Sequence, residues 1–68
     1  MFKVGVIPMN LQMVLEKLRS MGAKSIAHET INTTVTVTFA LSGLHFNPKG
    51  FIQKQIGHNI VGGLVEEC

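Results

Sequence analysis

The side chains that could do chemistry in this chain are few and poorly spaced for it. Its one thiol is Cys68, and its imidazoles are His28, His45 and His58. A cysteine beside a histidine can act as a nucleophile, because the imidazole takes the thiol proton. A terminal residue is too mobile to be held at a near-attack geometry, so no such pair is expected. Three histidines could share a zinc ion, yet no pair has ligand spacing such as His-Glu-x-x-His, and the chain has no aspartate. Met9 and Met13 flank the start of a helix and carry soft thioethers that suit Cu(I). Methionine is also an ordinary filler of packing gaps, and packing is the reading adopted. Glu66 and Glu67 are adjacent, so on a strand they point to opposite faces and form no acid–base couple. The chain is therefore expected to be non-enzymatic, with no cofactor and no tight copper or zinc site.

Phosphate recognition fares little better. Gly57, Gly62 and Gly63 fall in neither a Walker loop nor a dinucleotide fingerprint, because no Gly-Lys-Ser/Thr follows. Lys17, Arg19, Lys24, Lys49 and Lys54 could gather on the helical side and track phosphates. The net charge is only +2, and two of the four acids lie in the tail. A solvated helix face explains these cations. A small basic nucleic-acid-binding or regulatory protein stands as the alternative reading.

The elements that would position any site are easier to read. Thr33 to Leu41 alternates strictly: Val35, Val37, Phe39 and Leu41 share one strand face, and Thr34, Thr36, Thr38 and Ala40 the other. Phe2, Val4 and Val6 predict a first strand from Phe2 to Ile7, closed by Pro8. Asn10 is a helix N-cap, Leu11, Val14, Leu15 and Leu18 form an apolar stripe, and Gly22 is the stop. Ser25 to Ile31 predicts a weaker strand, with Ile26, His28 and Thr30 opposite Ala27, Glu29 and Ile31. Asn32 suits a tight turn into the strong strand. Ser42 and Gly43 end that strand. Asn47-Pro48 starts a second helix, striped by Phe51, Ile52, Gln55 and Ile56 and stopped near Gly57. A short last strand is expected within Ile60 to Glu66, bent at the glycine pair. The order β-α-β-β-α-β is the ferredoxin-like α+β plan: an antiparallel sheet with both helices on one face, residues 1–68 as a single domain.

A chain of 68 residues has a marginal core, and small scaffolds add a disulfide, a metal or a partner subunit. One cysteine allows no intrachain disulfide. With 46% apolar residues and 15% charged, self-association is the expected staple, so a homo-oligomer is predicted. No signal peptide and no membrane-length apolar run is evident, and a lone thiol suits a reducing compartment; a cytoplasmic protein is expected. Asn32-Thr33-Thr34 fits a glycosylation sequon but is read as turn chemistry.

Val6-Ile7-Pro8-Met9-Asn10, Leu11 to Met21, Gly22-Ala23-Lys24-Ser25-Ile26 and Val35-Thr36-Val37 together resemble the heavy-metal-associated domains of copper chaperones. That family places a Met-x-Cys-x-x-Cys loop at the opening of its first helix. With Met9 on the family's methionine, Leu11 and Val14 stand where the thiolate ligands belong. The resemblance implies the fold and argues against the metal. ACT-type ligand-binding domains share the plan, and that likeness implies small molecules held at a dimer interface near the first loop. Pro8, Met9 and Asn10 stand in place of the glycine expected there.

The Thr34, Thr36 and Thr38 face carries no stacking aromatics of the kind RNA-reading sheets present. A flat uncharged face suits sheet-to-sheet packing or a shallow partner contact. The function expected is a small binding module, holding a small ligand at a subunit interface or binding and inhibiting a partner protein. Its site candidates are Pro8, Met9, Asn10, Thr34, Thr36 and Thr38. The residues do not identify the ligand, the partner or the organism.

Overall fold

The computed structural model describes residues 1–41, 47–63 and 65–67. Its central strand is β3, Thr34–Ala40, whose burial alternates as its sequence does: Val35, Val37 and Phe39 are buried, while Thr34, Thr36, Thr38 and Ala40 are half-buried. β1, Phe2–Val6, has the same pattern, with Phe2, Val4 and Val6 buried. The two strands pair antiparallel, Phe2 opposite Phe39, Val4 opposite Val37 and Val6 opposite Val35. Directly opposed residues share a face, so these side chains form one continuous apolar surface. The Phe2 and Phe39 rings lie 5.9 Å apart in a tilted pair.

β2, Lys24–Ile31, pairs antiparallel with β3, and β4, Glu66–Glu67, pairs antiparallel with β1. The strand order is β2-β3-β1-β4. The architecture is thus mixed α+β, a four-stranded antiparallel sheet with two helices. β2 is an edge strand, and only Ile26 of its residues is half-buried. A bulge between Lys24 and Ala27 interrupts its ladder, with Ser25 at φ 55°. Asn32 supplies the left-handed turn into β3 at φ 58°, as its short polar side chain permits.

α1, Leu11–Ser20, buries Val14, Leu15 and Leu18 against the sheet, with Leu11 and Met21 packed beside them. Its end is a Schellman motif. Gly22 turns left-handed at φ 83°, the Ala23 N–H donates to the Leu18 carbonyl, and the Gly22 N–H donates to that of Arg19, each at 3.0 Å. Its start departs from expectation. Asn10 holds the cap position, but its side chain makes no capping bond. The residue already has helical backbone angles, φ −98° and ψ 0°, because Pro8–Asn10 form a 3₁₀ turn ahead of the helix. An extended backbone is what aims a cap side chain at the first turn.

α2, Pro48–Ile56, begins as the sequence predicts. Asn47 Oδ1 accepts from the Gly50 N–H at 3.0 Å, and Pro48 occupies the first turn. Ile52 and Ile56 join the same core cluster as α1 and the sheet. The Lys17 ammonium donates to the Gln55 carbonyl at 3.4 Å, tying the two helices. Gln55 itself is exposed, so it is not part of the apolar stripe.

The chain after α2 differs from the predicted strand. Residues 57–59 and 61–63 form 3₁₀ turns, and the ladder is confined to Glu66–Glu67. Gly62 and Gly63 take φ 77° and 69° in succession, which coils the backbone and excludes it from a ladder. A side chain takes the ladder's place. Gln53 on α2 donates its amide N–H to the Gly63 carbonyl and accepts the Val65 N–H at 3.2 Å. Gln53→Leu removes both bonds from a half-buried position and should lower stability by about 1–3 kcal/mol, measured by denaturant unfolding. A loss below about 0.5 kcal/mol would show that the clamp does not hold this segment. The expected break at Ser42 and Gly43, and residues His45 and Cys68, lie outside the described residues.

Candidate binding groove

The helices cover one face of the sheet, and no described helix covers the other. Strand register sets out that open face in rows. Ile31 lies opposite Thr34. The next row runs Glu29, Thr36, Gly5, and the next Ala27, Thr38, Lys3, Glu66. Beyond it Lys24 lies opposite Ala40. Small, β-branched and charged side chains are thus interspersed over this face.

Over β1 this face is concave. Gly5 has no side chain, and a Cβ there would lie 3.4 Å from Thr34 Cγ2 and 3.7 Å from Val61 Cβ. Val61, just ahead of the left-handed Gly62 and Gly63, stands over the sheet beside Gly5 as a wall. The resulting groove holds about 340 Å³ and is lined by Lys3, Gly5, Thr34, Thr36, Val61, Gly62 and Glu66. Val4 also lines it, and because its side chain is buried in the core, it presents main chain. The size falls at the low end for small-molecule pockets.

The groove's chemistry is mixed. Lys3 Nζ and Glu66 Oε2 stand 3.4 Å apart at one end, their side chains 45% and 67% exposed. An ion pair that wet adds little to stability, so its two charges are available to a ligand at little loss. Thr34 and Thr36 add hydroxyls that donate or accept, and Val61 adds an apolar wall. This set can hold a small polar molecule and orient it. It contains no nucleophile with a base beside it.

Thr34 and Thr36 are therefore in the groove. Thr38 shares the face one row away and does not line it. Pro8, Met9 and Asn10 do not line it either. They form the 3₁₀ turn after β1, where Met9 is 87% exposed. Lys3, Gly5, Val61, Gly62 and Glu66 are not among the site candidates the sequence offers; Gly62 and Glu66 stand out there only as a turn residue and a tail acid. Gly5 did carry a signal, since a glycine inside a strand marks close approach of another backbone.

Other candidates stay dispersed. His28 is exposed on β2, and His58 is exposed in the turn after α2. Among the described residues no three His, Cys, Asp or Glu side chains gather where they could hold a metal ion. Val14 is buried in the core and Leu11 packs against it, which accounts for apolar residues at those two positions. No described helix is long and apolar enough to cross a membrane.

Compared with protein-family models, curated proteins and solved structures, the chain matches none. The likeness to heavy-metal-associated domains thus rests on the quoted residues alone.

Proposed function

We propose that this chain is a small, non-enzymatic binding module of the ferredoxin-like plan, acting as a homo-oligomer that holds a small polar ligand in the open-face groove at a subunit interface. The plan is supported by connectivity. β1 and β2 run parallel with β3 between them, and β3 and β4 run parallel with β1 between them, which makes two split β-α-β units. The binding role is carried by one observation: the groove over Gly5, with hydroxyls, an ion pair and an apolar wall converging on an uncovered sheet face. The basic alternative draws on Arg19, Lys49 and Lys54, which are exposed, while Lys17 is engaged with Gln55. Against single-strand stacking, Phe2 and Phe39 are both buried on the helix side of the sheet.

Gly5→Val separates these readings. The added Cβ meets nothing closer than 3.4 Å, so the fold should survive while the methyls fill the groove. A thermal-shift screen of polar metabolites should find a compound that raises the melting temperature of the native chain and leaves Gly5→Val unmoved. A compound that stabilises both equally places the site elsewhere. Oligonucleotide binding that weakens steeply with salt would favour the basic alternative.

A further inference from the structure

We infer that two copies pack open face to open face about a two-fold axis running across the strands over the Ala27–Thr38–Lys3 row, so that Lys24 of each copy meets Glu29 of the other. This rests on the homo-oligomer reading and specifies its partner surface and register. An isologous contact brings the same patch onto itself, so a usable surface must be complementary to its own rotated image. The open face meets that condition in one register.

Lys24 and Glu29 both lie on the edge strand β2 and both belong to the open face, opposite Ala40 and Thr36. Thr38 sits midway between those two, two residues from each. At about 3.3 Å per residue, each charge is then displaced about 6.6 Å from the Thr38 row, on opposite sides. Rotation about that row lays β2 over β2 with its direction reversed. Lys24 comes over Glu29 of the second copy, and Glu29 over its Lys24. With sheets about 10 Å apart, these long side chains reach across, and at an edge strand they form a polar rim.

Neighbouring registers fail on charge. An axis over the Thr36 row stacks Glu29 on Glu29, and one over the Ala40 row stacks Lys24 on Lys24. An axis along the strands lays β2 over β4 and sets Glu29 against Val61. In the chosen register Lys3 and Glu66 lie on the axis and each faces its own image across about 10 Å, but each keeps its opposite charge 3.4 Å away within its own chain, so the four charges sum to zero.

Shape agrees with charge. Val61 rises over the Gly5–Thr36 row, and it is 49% exposed. The rotation brings that row against the Ala40 row of the second copy, Thr36 over Ala40 and Gly5 over the residue beside Ala40 on β1. Continuing the register, Met1 lies beside Ala40 and is 51% exposed. The Val61 ridge thus meets Met1 of the second copy, a flexible apolar side chain that can pack against it and roof the groove. Four strands about 4.8 Å apart give a face roughly 20 Å on a side, about 400 Å² per copy and about 800 Å² in total, below the roughly 1,000 Å² of a stable interface, so the contact is a weak one. The dimer should therefore be concentration-dependent.

Charge exchange tests the register by sedimentation of the full chain. K24E sets carboxylate against carboxylate at both contacts, and E29K sets ammonium against ammonium. Each single change should weaken dimerisation about tenfold at low salt, two like-charge contacts replacing two pairs. The K24E/E29K double variant should recover native affinity. An equimolar mixture of the two single variants should form heterodimers more tightly than either forms homodimers. Singles that dimerise like the native chain, with Thr36→Lys still disruptive, would overturn the register and leave the face. A native chain that stays monomeric at high micromolar concentration would overturn both.

Discussion

Phe39→Ala should lower the unfolding free energy by about 3–5 kcal/mol, the range for truncating a core phenylalanine. Phe39 has 0% of its surface exposed and sits opposite Phe2 in the end row of the β1–β3 pairing. Phe2 stacks on one side of it at 5.9 Å, and the buried Leu18, Ile52 and Ile56 belong to the same cluster. Among the described residues no charged or polar side chain is buried there to soften the loss. The surrounding elements are short and pinned by β1 on one side and β2 on the other, so they cannot collapse fully into the vacated space. A cavity term therefore adds to the lost transfer energy. A protein this small has little stability to lose, so the variant should be largely unfolded at 37 °C. Urea titration at fixed protein concentration measures the change. A loss under about 1 kcal/mol would mean the side chain is not in a packed core, and with it the register of β1 on β3 would fall.

That residue was legible because its signal is local. Alternation along Thr34–Ala40 separates the buried from the half-buried face without knowledge of any other strand, and the i, i+3, i+4, i+7 stripe does the same for α1. Gly22 and Asn47-Pro48 act within a few residues of themselves, and both operate as the sequence predicts. Signals failed where a distant partner decides. The tail from Ile60 on reads as a strand by composition, but the Gln53 amide, ten residues from Gly63 and on another element, takes the hydrogen bonds that would continue the ladder. Asn10 has the right side chain for a cap, yet Pro8 draws its backbone into a preceding turn.

The groove shows the same division. Thr34 and Thr36 were visible as an uncharged face. The wall they need is Val61, which comes beside Gly5 from the far end of the sequence, just ahead of the two left-handed glycines. Lys3 and Glu66 meet because β4 pairs with β1 at the sheet edge, a contact between the two ends of the chain. The candidacy of Pro8, Met9 and Asn10 rests on likeness to families whose ligands sit at the first loop. No residue of that turn carries an independent signal for the groove.

Thr36→Lys should convert the proposed oligomer to monomers, raising the dissociation constant by about two orders of magnitude, since the ammonium would be stripped of water between two sheets while its cross-strand neighbour Glu29 is already drawn to Lys24 of the second copy. Thr36 lies in the middle of the open face, between Gly5 and Glu29, and lines the groove. In the proposed register its row faces the Ala40 row of the second copy, which already carries Lys24. The new cation would meet a like charge across the interface as well as lose solvent. Within one chain the position is half-buried and opens to water, so the folded monomer should tolerate the substitution. The melting temperature should fall, and its dependence on protein concentration should vanish, because stability would no longer be linked to association. Sedimentation and thermal unfolding across a concentration series read both effects. Thr38→Lys supplies the comparison, because that residue lies on the proposed axis and each new cation would face its own image. A chain whose association and melting are untouched by either change does not use this face to assemble.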